Sequence, residues 1–473
     1  MIDDKNALDN NENKLNDIAE DMSPEPNADE SKVKNKKKKS KGISQAELII
    51  SLALAVVITF MTTYSLMYVQ VKQAINEVKI DYSQKKLYDA DTQEKLYDAD
   101  TIEQIKTLYE TYYVGELGDF DPDSYLLFNM SDFENWDSAS VTAALAQIYV
   151  ARTGDKYGEY YTTDEYDEVM NGFRGETVGI GVYVTYDSSE KQIEVLSVFN
   201  GSPAEKAGIT AGDRITSVDG ISLQELTYDE AVDKIKGEEG TELTVTAMRD
   251  GKEMRFTMTR AAATATSVYQ RISDDGVTGV IRLIQFTEAT PEQFKNAIEA
   301  VTNAGAKQLV FDVRDNPGGL LSSVLSVVSY VLPEGTGIIR EVDKSGKEEV
   351  TYCEDEHTID LPYVVLTNSD TASAAELFTI DLRDHGGAET VGTKTYGKGV
   401  EQTFFNLPLN AVLKMTYKWY SSTVSDNFDG KGIEPTVYVE PDEGFENVNL
   451  FKLADKDDAQ LQKAIEVLNS KTN

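Results

Sequence analysis

From Leu48 to Val69 the chain runs 22 residues without a charge. As a helix that stretch would reach about 33 Å, enough to cross a bilayer's hydrocarbon core. A basic run precedes it (Lys32, Lys34, Lys36 to Lys39, Lys41), whereas the far flank is mixed in sign (Lys72, Glu77, Lys79, Asp81). Basic flanks stay on the cytoplasmic side, so the pattern predicts a single transmembrane helix over residues 43–70, with a bacterial-type cell membrane as its location and the bulk of the chain facing outward. A cleaved signal peptide is the main rival, but Tyr64, Met67 and Tyr68 make a poor small-residue cleavage site. A prepilin-like reading of Gly42–Glu47 is a weaker one.

Residues 1–42 are polar, acidic and then basic, too poor in apolar side chains to bury a core, and are expected to be a disordered cytoplasmic tail. Residues 71–101 read as a charged helical stalk in which Lys86–Thr92 is copied as Lys95–Thr101. Two short copies do not make a solenoid. Helical spacing then returns over 102–170, with Ile105, Leu108, Tyr109 and Tyr112 on one face and Val141, Leu145, Ile148 and Tyr149 on another.

Short alternating strands follow over 171–262: Gly179–Val184, Ile193–Val198, Leu243–Met248 and Glu253–Met258, with a helix near Tyr228–Ile235. The order of these elements, with Gly179-Ile180-Gly181-Val182 at the head of a strand, resembles a PDZ domain. That resemblance implies that the N–H groups of Ile180, Gly181 and Val182 receive a peptide's terminal carboxylate while the next strand pairs with the peptide.

Over 263–445 strands and helices alternate, as in an α/β core. Gln308–Val313 is a continuous apolar strand of the kind buried on both faces, and it runs into Arg314-Asp315-Asn316-Pro317-Gly318-Gly319 and a helix over Leu320–Val331. Pro362–Thr367 is a second such strand, leading to Thr371-Ala372-Ser373-Ala374-Ala375-Glu376 and another helix. Open α/β sheets place their sites at these strand ends. Residues 446–473 add a helical extension around Asp455–Leu468.

Composition narrows the chemistry. The 473 residues with 40% hydrophobic side chains suit two or three folded units, and a net charge of −37 argues against a broad nucleic-acid surface. One cysteine (Cys353) and two histidines (His357, His385) favour a mechanism without a metal or organic cofactor. They also leave little for a serine–histidine pair, since His385 reads as a turn residue and His357 lies in an acidic loop.

Ser373, at a predicted helix N-terminus, suits either a capping residue or a nucleophile. Lys398, 25 residues on, lies in Gly397-Lys398-Gly399-Val400-Glu401-Gln402, and a desolvated lysine can serve a serine as base. Lys431 in Gly430-Lys431-Gly432 has the same local form.

Together with Asp155-Lys156-Tyr157-Gly158-Glu159-Tyr160-Tyr161 before the PDZ-like segment, these motifs resemble the carboxy-terminal processing (tail-specific) protease family, peptidase family S41, over roughly residues 102–440. The resemblance implies a multidomain α/β fold with a ClpP/crotonase-like protease core, and a serine endopeptidase that clips proteins near their C-termini. By position it makes Ser373 the nucleophile and Lys398 the base, with Gln402 holding the lysine amine. Backbone N–H groups of Ala374 and Gly318, or of Gly319 in its place, would form the oxyanion hole. It implies no cofactor, and protein or peptide substrates bound by their C-termini as partners. The oligomeric state, a homodimer included, stays open. Glu401, beside the base, is expected to face solvent. The alternative is a catalytically silent PDZ adaptor on a protease fold.

Overall fold

The computed structural model describes residues 97–118, 125, 136–187, 192–444 and 449–472. The expected tail, membrane span and most of the stalk lie outside these residues. Among the described residues no helix is long and apolar enough to cross a membrane.

The first described helix, α1 (Ala99–Tyr112), starts where Asp98 accepts the N–H of Asp100 at 3.0 Å and buries Ile102, Ile105 and Tyr109. Tyr112, expected on the same face, is exposed. Helix α2 (Ser138–Arg152) is capped by Asp137 and buries Val141, Leu145 and Tyr149. Strand β1 (Glu159–Tyr161) and α3 (Thr163–Arg174) complete the segment. It has no closed core of its own. Its apolar faces pack on Leu407, Ala411, Leu413 and Met415, some 250 residues later in the chain.

The PDZ-like unit comprises β2 (Glu176–Gly179), β3 (Val182–Asp187), β4 (Gln192–Val198), α4 (Pro203–Ala207), β5 (Arg214–Val218), β6 (Ile221–Ser222), α5 (Tyr228–Ile235), β7 (Glu242–Arg249), β8 (Lys252–Thr259) and β9 (Ala261–Thr264). Its main sheet has the order β3-β4-β5-β7-β8, which leaves β3 at an edge, while β2 and β9 pair where the chain enters and leaves. Alternation puts Ile193, Val195, Ile215, Leu243 and Val245 inside.

In the protease-like core, β10 (Val268–Ile272), β11 (Thr278–Leu283), α6 (Thr290–Asn303), β12 (Gln308–Asp312) and α7 (Leu321–Val331) precede a hairpin of β13 (Gly337–Asp343) and β14 (Glu348–Tyr352). Then come β15 (Tyr363–Thr367), α8 (Ala374–Asp384), β16 (Glu389–Gly392), β17 (Val400–Asn406), β18 (Val412–Ser421), β19 (Val437–Tyr438) and α9 (Ala459–Thr472). One sheet runs β10-β11-β12-β15-β16-β19, parallel except for β10. A second, antiparallel sheet carries β18 between β1 and β13, with β17 also on β18.

Both faces of the parallel sheet are covered, which is why β11 and β12 are buried along their whole length. Phe294, Val324, Val328 and Phe378 from α6, α7 and α8 fill one side. The other side is closed by α9, whose Leu461, Ala464, Ile465 and Leu468 pack on Val310, Val364 and Val391. The C-terminal extension is therefore a layer of the core and not an appendage. Arg314 ties it down, reaching Asp312 and Asp458, each at 2.8 Å, with all three side chains buried.

Candidate active site

Ser373 follows β15 and heads α8, as the buried strand and the helix-forming residues after it predict. Its backbone sits at φ 56°, ψ −122°, a region a non-glycine residue occupies only when its surroundings hold it. Several bonds do so. Ser373 N–H goes to Glu376 Oε2 at 2.9 Å, Ala372 N–H to Asn316 O at 2.9 Å, and the Thr371 hydroxyl to Val313 O at 2.8 Å.

The turn after β12 lies directly against this loop. Gly318 has φ 100°, and a Cβ there would come within 2.8 Å of Ala372 O and of Ser373 Cβ. Its N–H is already taken by Asn316 Oδ1 at 2.8 Å, while Asn316 is itself buried and bonded to Leu283 O. This corrects the expectation of Gly318 as a free donor. Of the three candidate oxyanion donors, Gly319 and Ala374 have N–H groups with no acceptor among the described residues.

Lys398 precedes β17 and is half-buried. Its backbone N–H donates to Glu376 Oε2 at 2.8 Å, and Glu376 Oε1 takes the Gly397 N–H at 2.7 Å and the Thr395 hydroxyl at 2.5 Å. Glu376 is fully buried, and one carboxylate thus joins the serine segment to the lysine segment. Burial pushes its pKa up against those donors. Glu376 stands in the serine motif, yet the motif by itself gives it no task. Its spacing of three from a helix-heading serine is the capping-box signal that could have found it.

Desolvation lowers the Lys398 ammonium to about pKa 8; Lys414 and Lys156 push the same way, and Glu159 and Asp155 oppose them. The ammonium rests 4.3 Å above the ring centroid of Tyr157 and makes no hydrogen bond to Ser373. Ser373 Oγ instead has the Tyr420 hydroxyl at 3.5 Å, and that hydroxyl bonds Lys398 O at 3.0 Å. Gln402 makes no hydrogen bond to the amine either; its Nε2 donates to Val400 O at 3.3 Å and Thr416 Oγ1 at 3.2 Å.

The rival residues separate cleanly. Lys431 is exposed, with its ammonium 3.4 Å from Asn427 O. His385 sends Nε2 toward Thr423 Oγ1 at 3.2 Å, and His357 stacks on Tyr330 with ring centroids 3.7 Å apart. Glu401 corrects its expectation: it faces Glu341 and Tyr417 and not solvent, and burial beside Glu341 raises it to about pKa 7. Among the described residues no cluster of three or more His, Cys, Asp or Glu is placed to hold a metal ion.

In the PDZ-like unit, Gly181 has φ 75°, and a Cβ there would strike Ser202 Cβ at 2.4 Å. Ile180, Gly181 and Val182 line a cleft of about 70 Å³ closed by Val184, Val232 and Ile235. A far larger cavity, about 870 Å³, runs from Tyr183 and Thr185 on the other face of β3 past Arg282 to Pro317 and Asn368–Asp370. It reaches the loops that flank Ser373, although neither Ser373 nor Lys398 lines it.

The model of peptidase family S41 matches residues 277–439, and a PDZ domain model matches residues 194–249. A CtpA-like serine protease of Staphylococcus aureus (strain COL) is 31% identical over 341 residues, covering 70% of this chain and 68% of the relative. A carboxyl-terminal-processing protease of Synechocystis is 31% identical over 310 residues, 64% of this chain and 71% of the relative. An S41 protease structure from Bacteroides fragilis shares the fold, with a TM-score of 0.52 at 14% identity over 78% of this chain and 98% of that one. The fold and these matches define a serine-type peptidase with a PDZ domain. The chain belongs to the carboxyl-terminal-processing protease family, peptidase family S41.

Proposed function

We propose that this is a membrane-anchored endopeptidase that cuts outward-facing proteins near their C-termini, with Ser373 as nucleophile and Lys398 as general base. The observation that carries the assignment is the shared carboxylate of Glu376, which holds the backbones of both residues within one hydrogen-bond network while burial lowers the lysine pKa. The neutral amine takes the Ser373 proton as Oγ bonds to the substrate carbonyl carbon. The N–H groups of Gly319 and Ala374 receive the oxyanion, and the proton passes to the leaving amine as the peptide C–N bond breaks. Water then releases the acyl group by the same path. For Gln402 to hold the ammonium, its side-chain oxygen Oε1 must accept a hydrogen bond from Lys398 Nζ.

The PDZ cleft takes the C-terminus of a substrate or partner. Its link to the site runs through Arg282, which lies 4.9 Å over Phe451, beside Tyr183 of β3, and pairs with Asp315 at 3.2 Å. The uncharged Leu48–Val69 run supports the anchor, and the preceding lysines support its orientation.

Incubation of the purified protein with an unstructured peptide tests the dyad. Ser373→Ala and Lys398→Ala should each abolish cleavage at an unchanged thermal midpoint, and persistence of cleavage in either variant removes that residue from its role. Binding without cleavage by the unsubstituted protein would favour an adaptor. For the anchor, a chain lacking residues 1–70 should leave the membrane fraction.

A further inference from the structure

We propose that Tyr157 is a positioning residue for the base: its ring holds the charged Lys398 side chain away from Ser373, and the neutral amine alone swings across to the serine. The proposal rests on the Ser373/Lys398 reading above. The ammonium sits 4.3 Å over the ring and has no hydrogen-bond acceptor among the described residues, so the ring face is its principal close contact. Ser373 Oγ meanwhile has a capping contact with the Glu376 N–H and a 3.5 Å contact with Tyr420, whose own proton is directed to Lys398 O. The Tyr420 hydroxyl, 3.5 Å from Ser373 Oγ and 3.0 Å from Lys398 O, brings the serine beside the lysine backbone, while the ammonium itself lies on the ring.

The ring is held in place from below. Buried Asp155 accepts the N–H of Tyr157 at 3.1 Å, the N–H of Thr416 at 2.9 Å and the Thr416 hydroxyl at 2.8 Å, which pins the turn between α2 and β1 onto β18. A ring quadrupole attracts a cation and not a neutral amine, a preference of roughly 3- to 30-fold at a partly desolvated position. The position of the side chain is thus linked to protonation. Of the other charges facing the ammonium, Asp155 and Glu159 also favour it, and Lys156 and Lys414 disfavour it. Glu376 and Asp429 Oδ1 accept backbone N–H groups around Lys398, and none of the six bonds the ammonium.

The pH dependence of kcat/KM on an unstructured peptide, measured on the full chain with Tyr157→Leu, Tyr157→Trp and Tyr157→Phe, tests this. Leucine keeps bulk without the quadrupole, so the acid limb should move down by about half to one pH unit, raising kcat/KM at pH 6.5 by roughly 3- to 10-fold. Tryptophan should move it up. Phenylalanine keeps the ring and hence the position of the limb, whatever happens to the plateau. A ring that served only to exclude water would give the leucine variant an unshifted or upward-shifted limb, and either result overturns the proposal. Should the leucine variant fail to fold, as judged by its thermal midpoint, the comparison of tryptophan with phenylalanine decides, with coincident limbs counting against the proposal. Loss of cleavage in Lys398→Ala together with unshifted Tyr157 variants removes the role of Tyr157 alone, whereas cleavage retained in Lys398→Ala removes the dyad beneath it.

Discussion

Glu376 accepts the backbone N–H of Lys398 at 2.8 Å on the same carboxylate oxygen that accepts the N–H of Ser373, the residue heading its own helix. The proposed base and nucleophile, 25 residues apart in sequence, have their backbones tied to each other by that one atom. The other oxygen, on Gly397 and Thr395, prevents the carboxylate from turning.

Glu376→Gln makes this dependence measurable. Each oxygen receives two donors, so an amide NH2 in either place faces donors instead of acceptors and must push one segment away. A shift on the order of 1 Å at reacting groups lowers kcat by up to about 100-fold. We expect a fall of roughly 10- to 100-fold in kcat with KM changed much less. The buried mismatch should also lower stability by about 1–3 kcal/mol in urea titrations. Unchanged kcat would mean that the tether does not set the site.

Gly318→Ala introduces a methyl group where φ is 100° and Ala372 O, Ser373 Cβ and Ala374 N already stand at 2.8, 2.8 and 2.9 Å. Those neighbours belong to the proposed nucleophile and one proposed oxyanion donor, so relief of the clash displaces both. Turnover should drop by about 10²–10³-fold, the loss typical of a disabled oxyanion hole, while a PDZ-directed peptide still binds. Calorimetric binding alongside steady-state kinetics checks both halves.

Lys398 sets a pH dependence whose sign follows from its lowered pKa of about 8. As the proposed base it is competent only when neutral, so kcat/KM should rise with pH and reach half its plateau near pH 8. The same group affects stability. Its folded pKa lies below the unfolded value of about 10.4, so the unfolded chain binds more protons between the two. Its contribution is fully present above about pH 10.4 and is lost as pH falls through about 8. In Lys398→Met the activity limb disappears, and so does this part of the stability slope between about pH 8 and about pH 10.

Asp458→Ala leaves the buried Arg314 with Asp312 as its one remaining carboxylate in that cluster, beside the Gln460 side-chain oxygen at 3.0 Å. Breaking a buried pair by removing one partner costs about 3–5 kcal/mol, far above a surface ion pair. Because the pair fastens α9 to the parallel sheet, the variant should unfold at markedly lower urea, and a chain ending at Gly444 should not fold at all. A truncated chain with full activity would contradict the role of α9 as a layer of the core.

Local patterns made much of this legible. Continuous apolar runs such as Gln308–Val313 and Tyr363–Thr367 foretell strands buried on both faces, and the helix formers after Ser373 put that residue at a helix N-terminus. Even the capture of Gly318 N–H by Asn316 has a local cause, since asparagine side chains readily bond the backbone two residues on. Glu401 was not legible. In β17 its direction is decided by pairing to β18, and β18 in turn by pairing to β13, which brings Glu341 alongside. The first helical segment reads as a module because its periodicity is its own, yet its apolar face is completed by Leu413 and Met415.

The sequence alone determined the strands and helices of the core and the candidate Ser373, because these depend on spacing along the chain and on side-chain type, while the choice of Lys398 over Lys431 came from the family resemblance. Tertiary structure alone decided which charges meet. It brought Glu376 between serine and lysine, laid Tyr157 under the ammonium, and joined α9 to Arg314. Contacts between residues distant in the chain depend on how faces are covered and buried, and periodicity within one element carries no record of what covers it.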